Sequence, residues 1–314
     1  MSTPRTVKQQ ARALAAAENI SYTEALRRVL AHGPTVGDPA AGHENAAAAD
    51  LAGPFGRATL EDLTALGTVS VLQASFLSAA VLAGKSIVVS GMSGSGKTTL
   101  LRALCAAIPV GQQIGIIEET SELSLPERDA TRVRTIPTRP ETSEVRPDGR
   151  QLGAIALDDA VQHSFRFNLT HQVVGEVRGC EVWAMVKAIE SGTTSMSTTR
   201  AADAEAAIRK LVICAMEAGE QVTADLATFE IAQTIDLIVQ LHVDEAPHGS
   251  DQRRWVSEIF HVTPSTDAAR GYATTQVFAP NPAGGPALPG TLPDELRRLE
   301  QHGFDLSGYS EHSR

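Results

Sequence analysis

The stretch that decides the fold is residues 86–105, SIVVS-GMSGSGKT-TLLRALC. Its central part, residues 91–98, fits the phosphate-binding loop pattern G-x-x-x-x-G-K-S/T at every fixed position. The apolar residues before this loop predict a short buried strand, and those after it predict a helix. A glycine-rich turn between a strand and a helix directs backbone N–H groups towards bound phosphate. The stretch therefore predicts an α/β fold that binds a nucleoside triphosphate.

The residue types of this loop suit the parts of a polyphosphate. The glycines allow the backbone to curl, Lys97 would reach the β- and γ-phosphates, and the Thr98 hydroxyl would bind Mg²⁺. The residues expected to hold the nucleotide are Gly91, Ser93, Gly94, Ser95, Gly96, Lys97, Thr98 and Thr99.

Composition limits the class of protein. Of the 314 residues, 42% are hydrophobic and 4% aromatic, which predicts a mainly aliphatic core. The formal net charge of −10 argues against nucleic acid as the main partner. The three cysteines form no metal-binding pattern and are expected to be reduced thiols. No run approaches the ~18 apolar residues of a membrane span, so we expect a cytoplasmic protein, which could still dock on a membrane complex.

The chain divides into four predicted regions. Residues 1–31 predict a helical hairpin, which is either a packing or docking element or a DNA-contacting unit. Residues 32–56 are rich in Gly, Ala and Pro and predict a flexible linker. Alternating strands and helices in residues 57–265 predict a nucleotide-binding domain with a mainly parallel sheet. Residues 266–314 predict a C-terminal extension with a terminal helix over 292–302.

Two acidic positions follow predicted buried strands. Glu118 and Glu119 end one of these strands, and Glu176 ends another. Active sites of α/β sheets lie at the carboxyl ends of the strands, and hydrolysis needs an acid that organises Mg²⁺ and the attacking water. We therefore predict that Glu176 and Glu118 are functional acids.

A polar segment, residues 126–150, carries several arginines interleaved with acidic residues. Two interpretations stay open at this point. The segment is either a solvated loop or the source of one or two arginines that neutralise transition-state charge at a γ-phosphate.

Four short runs occur together in an order and spacing that carry a family resemblance. They are EETSEL at 118–123, TRP at 138–140, VGEVRG at 174–179 and IDLIVQ at 235–240. With these runs, the chain resembles the hexameric ATPases of the secretion superfamily, which serve type II and type IV secretion, type IV and Flp/Tad pili, and conjugation. The resemblance covers about residues 57–262, and the Flp/Tad and conjugation branch is the most similar.

The resemblance implies a RecA-like P-loop fold and hydrolysis of ATP with Mg²⁺. It implies a homohexamer that acts on an inner-membrane platform protein at the cytoplasmic face of a pilus, secretion or conjugation machine. It assigns Thr98 and Glu176 to Mg²⁺ and prefers Glu118 to Glu119 as the catalytic acid. It further assigns Arg134 and Arg139 to the γ-phosphate.

Three departures from the family pattern bear on turnover and assembly. Residues 192–202, GTTSMSTTRAA, lack both histidines of the family's histidine box, and Arg200 stands in place of the second. Residues 1–56 are too short and too rich in Gly and Ala to form the family's N-terminal α/β domain. Gln162 occupies a position that is often arginine. Two alternatives therefore remain: a degenerate nucleotide-binding subunit that regulates a complex, or a DNA-linked transfer ATPase that uses residues 4–31.

Overall fold

A computed structural model describes residues 58–118, 123, 125, 132–137, 155–244, 252–265 and 270–312. Several sequence-based predictions lie outside these residues. They are the hairpin 1–31, the linker 32–56, Glu119 and Arg139.

The described strands form one sheet. They are β1 Ile87–Gly91, β2 Gln113–Glu118, β3 Arg132–Pro137, β4 His171–Val174, β5 Thr194–Thr199, β6 Leu237–Val243, β7 Arg254–Pro264, β8 Tyr272–Ala279 and β9 Leu288–Pro289. Their order across the sheet is β3-β2-β4-β5-β1-β6-β7-β8-β9. The strands from β3 to β6 in this order are parallel, and β7, β8 and β9 continue the sheet in antiparallel pairs. The predicted α/β fold with a mainly parallel sheet is confirmed.

Helices connect the parallel strands and cover both faces of the sheet. They are α1 Leu60–Ala65, α2 Val71–Leu82, α3 Lys97–Ala106, α4 Leu157–Ser164, α5 Glu181–Glu190, α6 Ala204–Met216, α7 Ala224–Thr234, α8 Asp294–Arg297 and α9 Leu306–His312. Successive strand residues point to opposite faces. Accordingly, Ile87 and Val89 pack with residues of α1, α2 and α3, whereas Val88 packs with residues of α4 to α7.

Strand β3 corrects one expectation. The sequence predicts a polar segment over residues 126–150, whereas residues 132–137 pair in parallel with β2 at the edge of the sheet. The side chain of Ile136 is buried and joins the cluster that contains Val88. The arginines at 132 and 134 interrupt the apolar residues of this run, which leaves too little hydrophobic periodicity to indicate a strand.

The C-terminal part of the chain completes the sheet. Strand β8 pairs with β7 across the boundary that the sequence places at residue 265. Behind these strands, the rings of Phe76, Phe278, Phe304 and Tyr309 meet edge to face, with centroids 5.3 to 5.7 Å apart. The Tyr309 hydroxyl donates to the Val277 carbonyl, and burial raises the pKa of this side chain to about 12. We call these four rings the aromatic cluster.

The position of β1 determines where the candidate site lies. This strand occupies the middle of the sheet, between β5 and β6. The loop that follows it therefore opens at the carboxyl edge of the parallel strands, where ligands bind in such sheets. Within the described residues, no helix has the length and apolar character needed to cross a bilayer.

Candidate active site

The phosphate loop, residues 91–98, joins β1 to α3, and glycine determines its shape. Gly94 and Gly96 have φ angles of +77° and +93°, which other residues adopt only with strain. A Cβ atom on Gly91 would lie 2.5 Å from Ser95 Oγ and 2.8 Å from the Leu241 carbonyl oxygen. The loop therefore begins where the chain packs too closely for a side chain.

The interior of the loop contains polar groups that suit a phosphate. Lys97 is only 8% exposed, and its Nζ donates to the Met92 carbonyl over 2.9 Å. Burial lowers the pKa of Lys97, although the nearby charge of Glu176 opposes this. Ser95 Oγ is buried without a hydrogen-bond partner among the described residues. A buried hydroxyl without a hydrogen-bond partner, from Ser95, and a buried ammonium, from Lys97, are the groups expected in an anion site.

Glu176 follows β4 and is bound by two arginines. Arg178 approaches its Oε2 through both Nε and Nη2 at 2.7 Å, and Arg200 Nε donates to its Oε1 over 2.9 Å. Burial raises the pKa of the carboxyl, but the hydrogen bonds and charges of the two arginines outweigh burial and leave it below its usual value. Glu176 is therefore an anion at neutral pH.

Glu118 ends β2 and is 8% exposed. Its two carboxylate oxygens lie 3.2 and 3.1 Å from the backbone nitrogen of Leu123, which donates to them. A Cβ atom on Gly175 would lie 2.9 Å from Glu118 Cβ, so the ends of β2 and β4 approach closely at this point. Glycine at 175 thus allows both strand ends to reach the same site.

These groups line a cavity of about 1200 Å³. Lys97, Glu118 and Glu176 all contribute to its wall, as do residues 93–99 of the loop and helix start. Gly91, which was also expected to bind the nucleotide, lies at the base of the loop and does not line the cavity. Among the described residues, no three His, Cys, Asp or Glu side chains form a metal site alone. Mg²⁺ held by a hydroxyl, one carboxylate and phosphate oxygens fits this set of ligands.

The cavity wall also contains residues that the sequence analysis missed. Arg254, the first residue of β7, donates from Nε to the Gly94 carbonyl over 2.7 Å. The cavity is also lined by Leu63, Leu66 and Thr68 of the α1–α2 region, and by Trp255 and Pro286. No local motif marks Arg254, because the contact joins residues 160 positions apart.

Arg134 is placed differently from the other predicted site residues. Its backbone lies in the middle of β3, beside Gly115 of β2. Four strand-to-strand steps separate β3 from β1, which is about 19 Å at the usual strand spacing. The backbone of Arg134 therefore lies at the edge of the sheet, away from the phosphate loop of its own chain. By contrast, Arg200, noted only as a departure from the family, contacts Glu176 directly.

Comparison with known proteins gives consistent matches. Residues 56–276 match the family described as type II/IV secretion system protein. The type IV secretion system protein PtlH of Bordetella pertussis is 31% identical over 194 residues, which cover 59% of this chain and 52% of PtlH. VirB11 of Bartonella quintana is 31% identical over 169 residues, covering 53% and 45%. This chain thus spans about half the length of these relatives.

A solved structure supports the same fold. The VirB11 ATPase of the Brucella suis type IV secretion system, crystallised with sulphate, superposes with a TM-score of 0.50 at 24% identity. The match covers 64% of this chain and 54% of the VirB11 chain. The mainly parallel sheet with its flanking helices is therefore a fold that this VirB11 ATPase shares.

Proposed function

The chain belongs to the type II/IV secretion system protein family, and from this we propose that it is an ATP-hydrolysing motor for secretion, pilus assembly or conjugative transfer. The observation that carries the proposal is the shared cavity. Lys97 from the phosphate loop and the strand-end acids Glu118 and Glu176 line it together. Such a combination of a phosphate cradle and two acids is what nucleotide hydrolysis requires.

Each of these residues has a distinct part in the proposed reaction. Lys97 and the loop N–H groups would bind and partly neutralise the phosphates, and Thr98 with Glu176 would hold Mg²⁺. When bound, Mg²⁺ supplies Lewis-acid neutralisation of the developing charge. Glu118, oriented by the Leu123 N–H, would orient the attacking water and accept its proton.

The arginines on Glu176 give the site two arrangements. In this structure Glu176 is bound to Arg178 and Arg200, whose side chains are 60% and 57% exposed. Both guanidinium groups are therefore open to solvent and can turn to another acceptor, whereas Glu176 itself is only 17% exposed. A γ-phosphate near Lys97 would offer the arginines a new acceptor, which would leave Glu176 free to hold Mg²⁺. Arg200 would thus serve at the position where the resemblance expects a histidine.

A second candidate function rests on the same ion pairs. If the arginines stay on Glu176 when ATP binds, the chain would be a nucleotide-binding subunit that regulates a complex with little turnover. The occupied carboxylate oxygens of Glu176 support this alternative.

The proposed setting of the motor follows the family. We propose that the chain forms a homohexamer, docks on an inner-membrane platform protein at the cytoplasmic face of the membrane, and contributes Arg134 and Arg139 to γ-phosphate sites. Light scattering with and without Mg·ATP would test assembly. A particle that stays a monomer under both conditions would contradict the hexamer.

Phosphate release from Mg·ATP tests the function. We expect Lys97→Ala and Glu176→Gln to reduce turnover by about 100-fold or more, since each removes a charge that stabilises the transition state. The matched controls are Lys187→Ala and Glu190→Gln. These two residues pair with each other over 2.8 Å on α5 and do not line the cavity.

The three outcomes separate the candidates. Turnover that both site variants abolish supports the motor. ATP binding without turnover, also at high protein concentration, supports the regulatory subunit. Absence of ATP binding would contradict both functions.

A further inference from the structure

The phosphate loop is held by a side chain from a distant strand. Arg254 donates from Nε to the Gly94 carbonyl over 2.7 Å. Its Nη1 and Nη2 donate to the backbone and side-chain oxygens of Gln252 over 3.1 and 3.3 Å. All three guanidinium nitrogens are thus engaged, and the planar group has one orientation.

The contact orients a peptide unit that faces the phosphate site. The Gly94 carbonyl and the Ser95 N–H belong to the same trans peptide and point in opposite directions. On the other side of this peptide, the Ser95 N–H donates to the Met92 carbonyl oxygen over 3.3 Å. Lys97 Nζ donates to that same oxygen from the inside. The loop therefore lies between two cations.

Without Arg254, this peptide would keep the bond from the Ser95 N–H to the Met92 carbonyl oxygen but would lose its charged partner. Gly94 has a φ of +77°, and no described heavy atom lies within 4 Å of the place a Cβ would take. A glycine in open space rotates between conformations readily. Rotation would break the bond from the Ser95 N–H to Met92 and could turn the Gly94 carbonyl oxygen, which repels an anion, towards the phosphates.

We propose that Arg254 is a positioning residue that keeps the phosphate loop in its anion-binding shape. The inference rests on the proposed nucleotide site and adds to it a residue outside the phosphate-loop motif. Arg254 touches the loop backbone, so its effect reaches the nucleotide through Gly94 and Ser95. Strand β7 pairs with β6, which pairs with β1, so the arginine and the loop start in the same sheet.

Calorimetric binding of ADP and ATP with Mg²⁺ tests this role. We expect Arg254→Ala to weaken both nucleotides by about tenfold and by the same factor, since both use the same loop. Arg254→Lys, which keeps one donor, should restore part of the affinity, and Gln252→Ala should give an intermediate loss.

Arg209→Ala is the matched control. Arg209 is an exposed arginine that pairs with Glu205 on α6 and does not line the cavity. We expect this variant to bind both nucleotides as the wild type does.

Each contrary result has a definite meaning. Equal affinity of the wild type and Arg254→Ala would overturn the inference alone. A loss confined to ATP would also overturn it, because that result indicates direct contact with the γ-phosphate. No binding by the wild type would overturn the proposed function and this inference with it. If Arg254→Ala fails to fold, wild-type affinity in both Arg254→Lys and Gln252→Ala would overturn the inference.

Discussion

At the scale of single residues, the chemistry of the site depends on the partners of Glu176. Burial alone would raise the pKa of this carboxyl, and the contacts from Arg178 and Arg200 reverse the direction. A carboxyl with a lowered pKa stays ionised down to a lower pH than a free one. Protonation of Glu176 therefore does not limit the reaction near neutral pH.

Arg200→Ala should shift the acid limb of the pH profile. Without this arginine, burial acts against one arginine instead of two, so the pKa of Glu176 should rise towards its usual value or above it. The fall of kcat/KM at low pH should then begin at a higher pH than in the wild type. Steady-state phosphate release across the acid range would measure this, with Arg297→Ala, an exposed arginine paired with Asp294, as the control. An acid limb that does not move would show that the ionisation of Glu176 does not determine it.

The sequence predicts those site residues that a short motif or an adjacent apolar strand marks. Lys97 and Thr98 follow from the loop pattern, and Glu118 and Glu176 follow from their places after apolar strands. The bond between Arg254 and Gly94 could not be predicted, because no spacing relates a β7 residue to the loop. The pairing of Arg200 with Glu176 required the register that places β4 beside β5.

At the scale of elements, the ends of β2 and β4 must lie close together for both acids to line the cavity. Gly175 makes this possible, since a Cβ there would meet Glu118 Cβ at 2.9 Å. That neighbouring atom is next to the backbone of β2, so it cannot move aside without moving the strand.

Gly175→Ala should therefore impair the site. We expect a loss of about 1–3 kcal/mol in the free energy of unfolding from overpacking, and a larger relative loss of phosphate release as Glu118 shifts. Gly179→Ala is the matched control, because the nearest atom to its Cβ, Glu217 Oε2 at 2.9 Å, ends a side chain that can move away, and the next, Glu181 Oε2, lies at an ordinary 3.4 Å. Urea unfolding and phosphate release of both variants would measure the difference. Equal behaviour of the two would show that the strand ends have room for a methyl group.

The sequence predicts most elements around the site because helical and strand periodicities alternate there. It misses α7 and β8 and mistakes β3 for part of a polar segment. The buried residues of α7 are few and small, with Ala227, Ile231 and Ala232 in the core. Strand β8 has only its two ends buried, with exposed or half-buried residues between them. Weak periodicity of this kind becomes a regular element only through the neighbours that pack on it.

At the scale of the whole molecule, the aromatic cluster joins the C-terminal residues to the nucleotide-binding fold. Phe76 comes from α2, which precedes β1, and Phe304 comes from the end of the chain. Both lie in the hydrophobic cluster that contains Val89 of β1. This packing is long-range in sequence, which is why the sequence suggests a separate extension beyond residue 265.

Phe304→Ala should destabilise the whole fold. Removing a ring that is 3% exposed should lower the free energy of unfolding by about 3–5 kcal/mol, because the cavity left behind cannot close fully. Phe229→Ala, at a phenylalanine that is 50% exposed on α7, is the control and should change it by less than about 1 kcal/mol. Chemical denaturation would measure both. A small effect at Phe304 would show that the C-terminal residues fold independently of the sheet.

The place of β1 between β5 and β6 also has a consequence for biosynthesis. Residues 87–98 leave the ribosome well before residues 194–199 and 237–243, whose strands flank β1 in the finished sheet. The loop therefore cannot take its final form until most of the polypeptide has been translated. During that interval, the nascent chain would have no complete site that ATP could bind and so stabilise. It would stabilise the protein only after the central strands have paired, because it binds the folded chain and not the unfolded one.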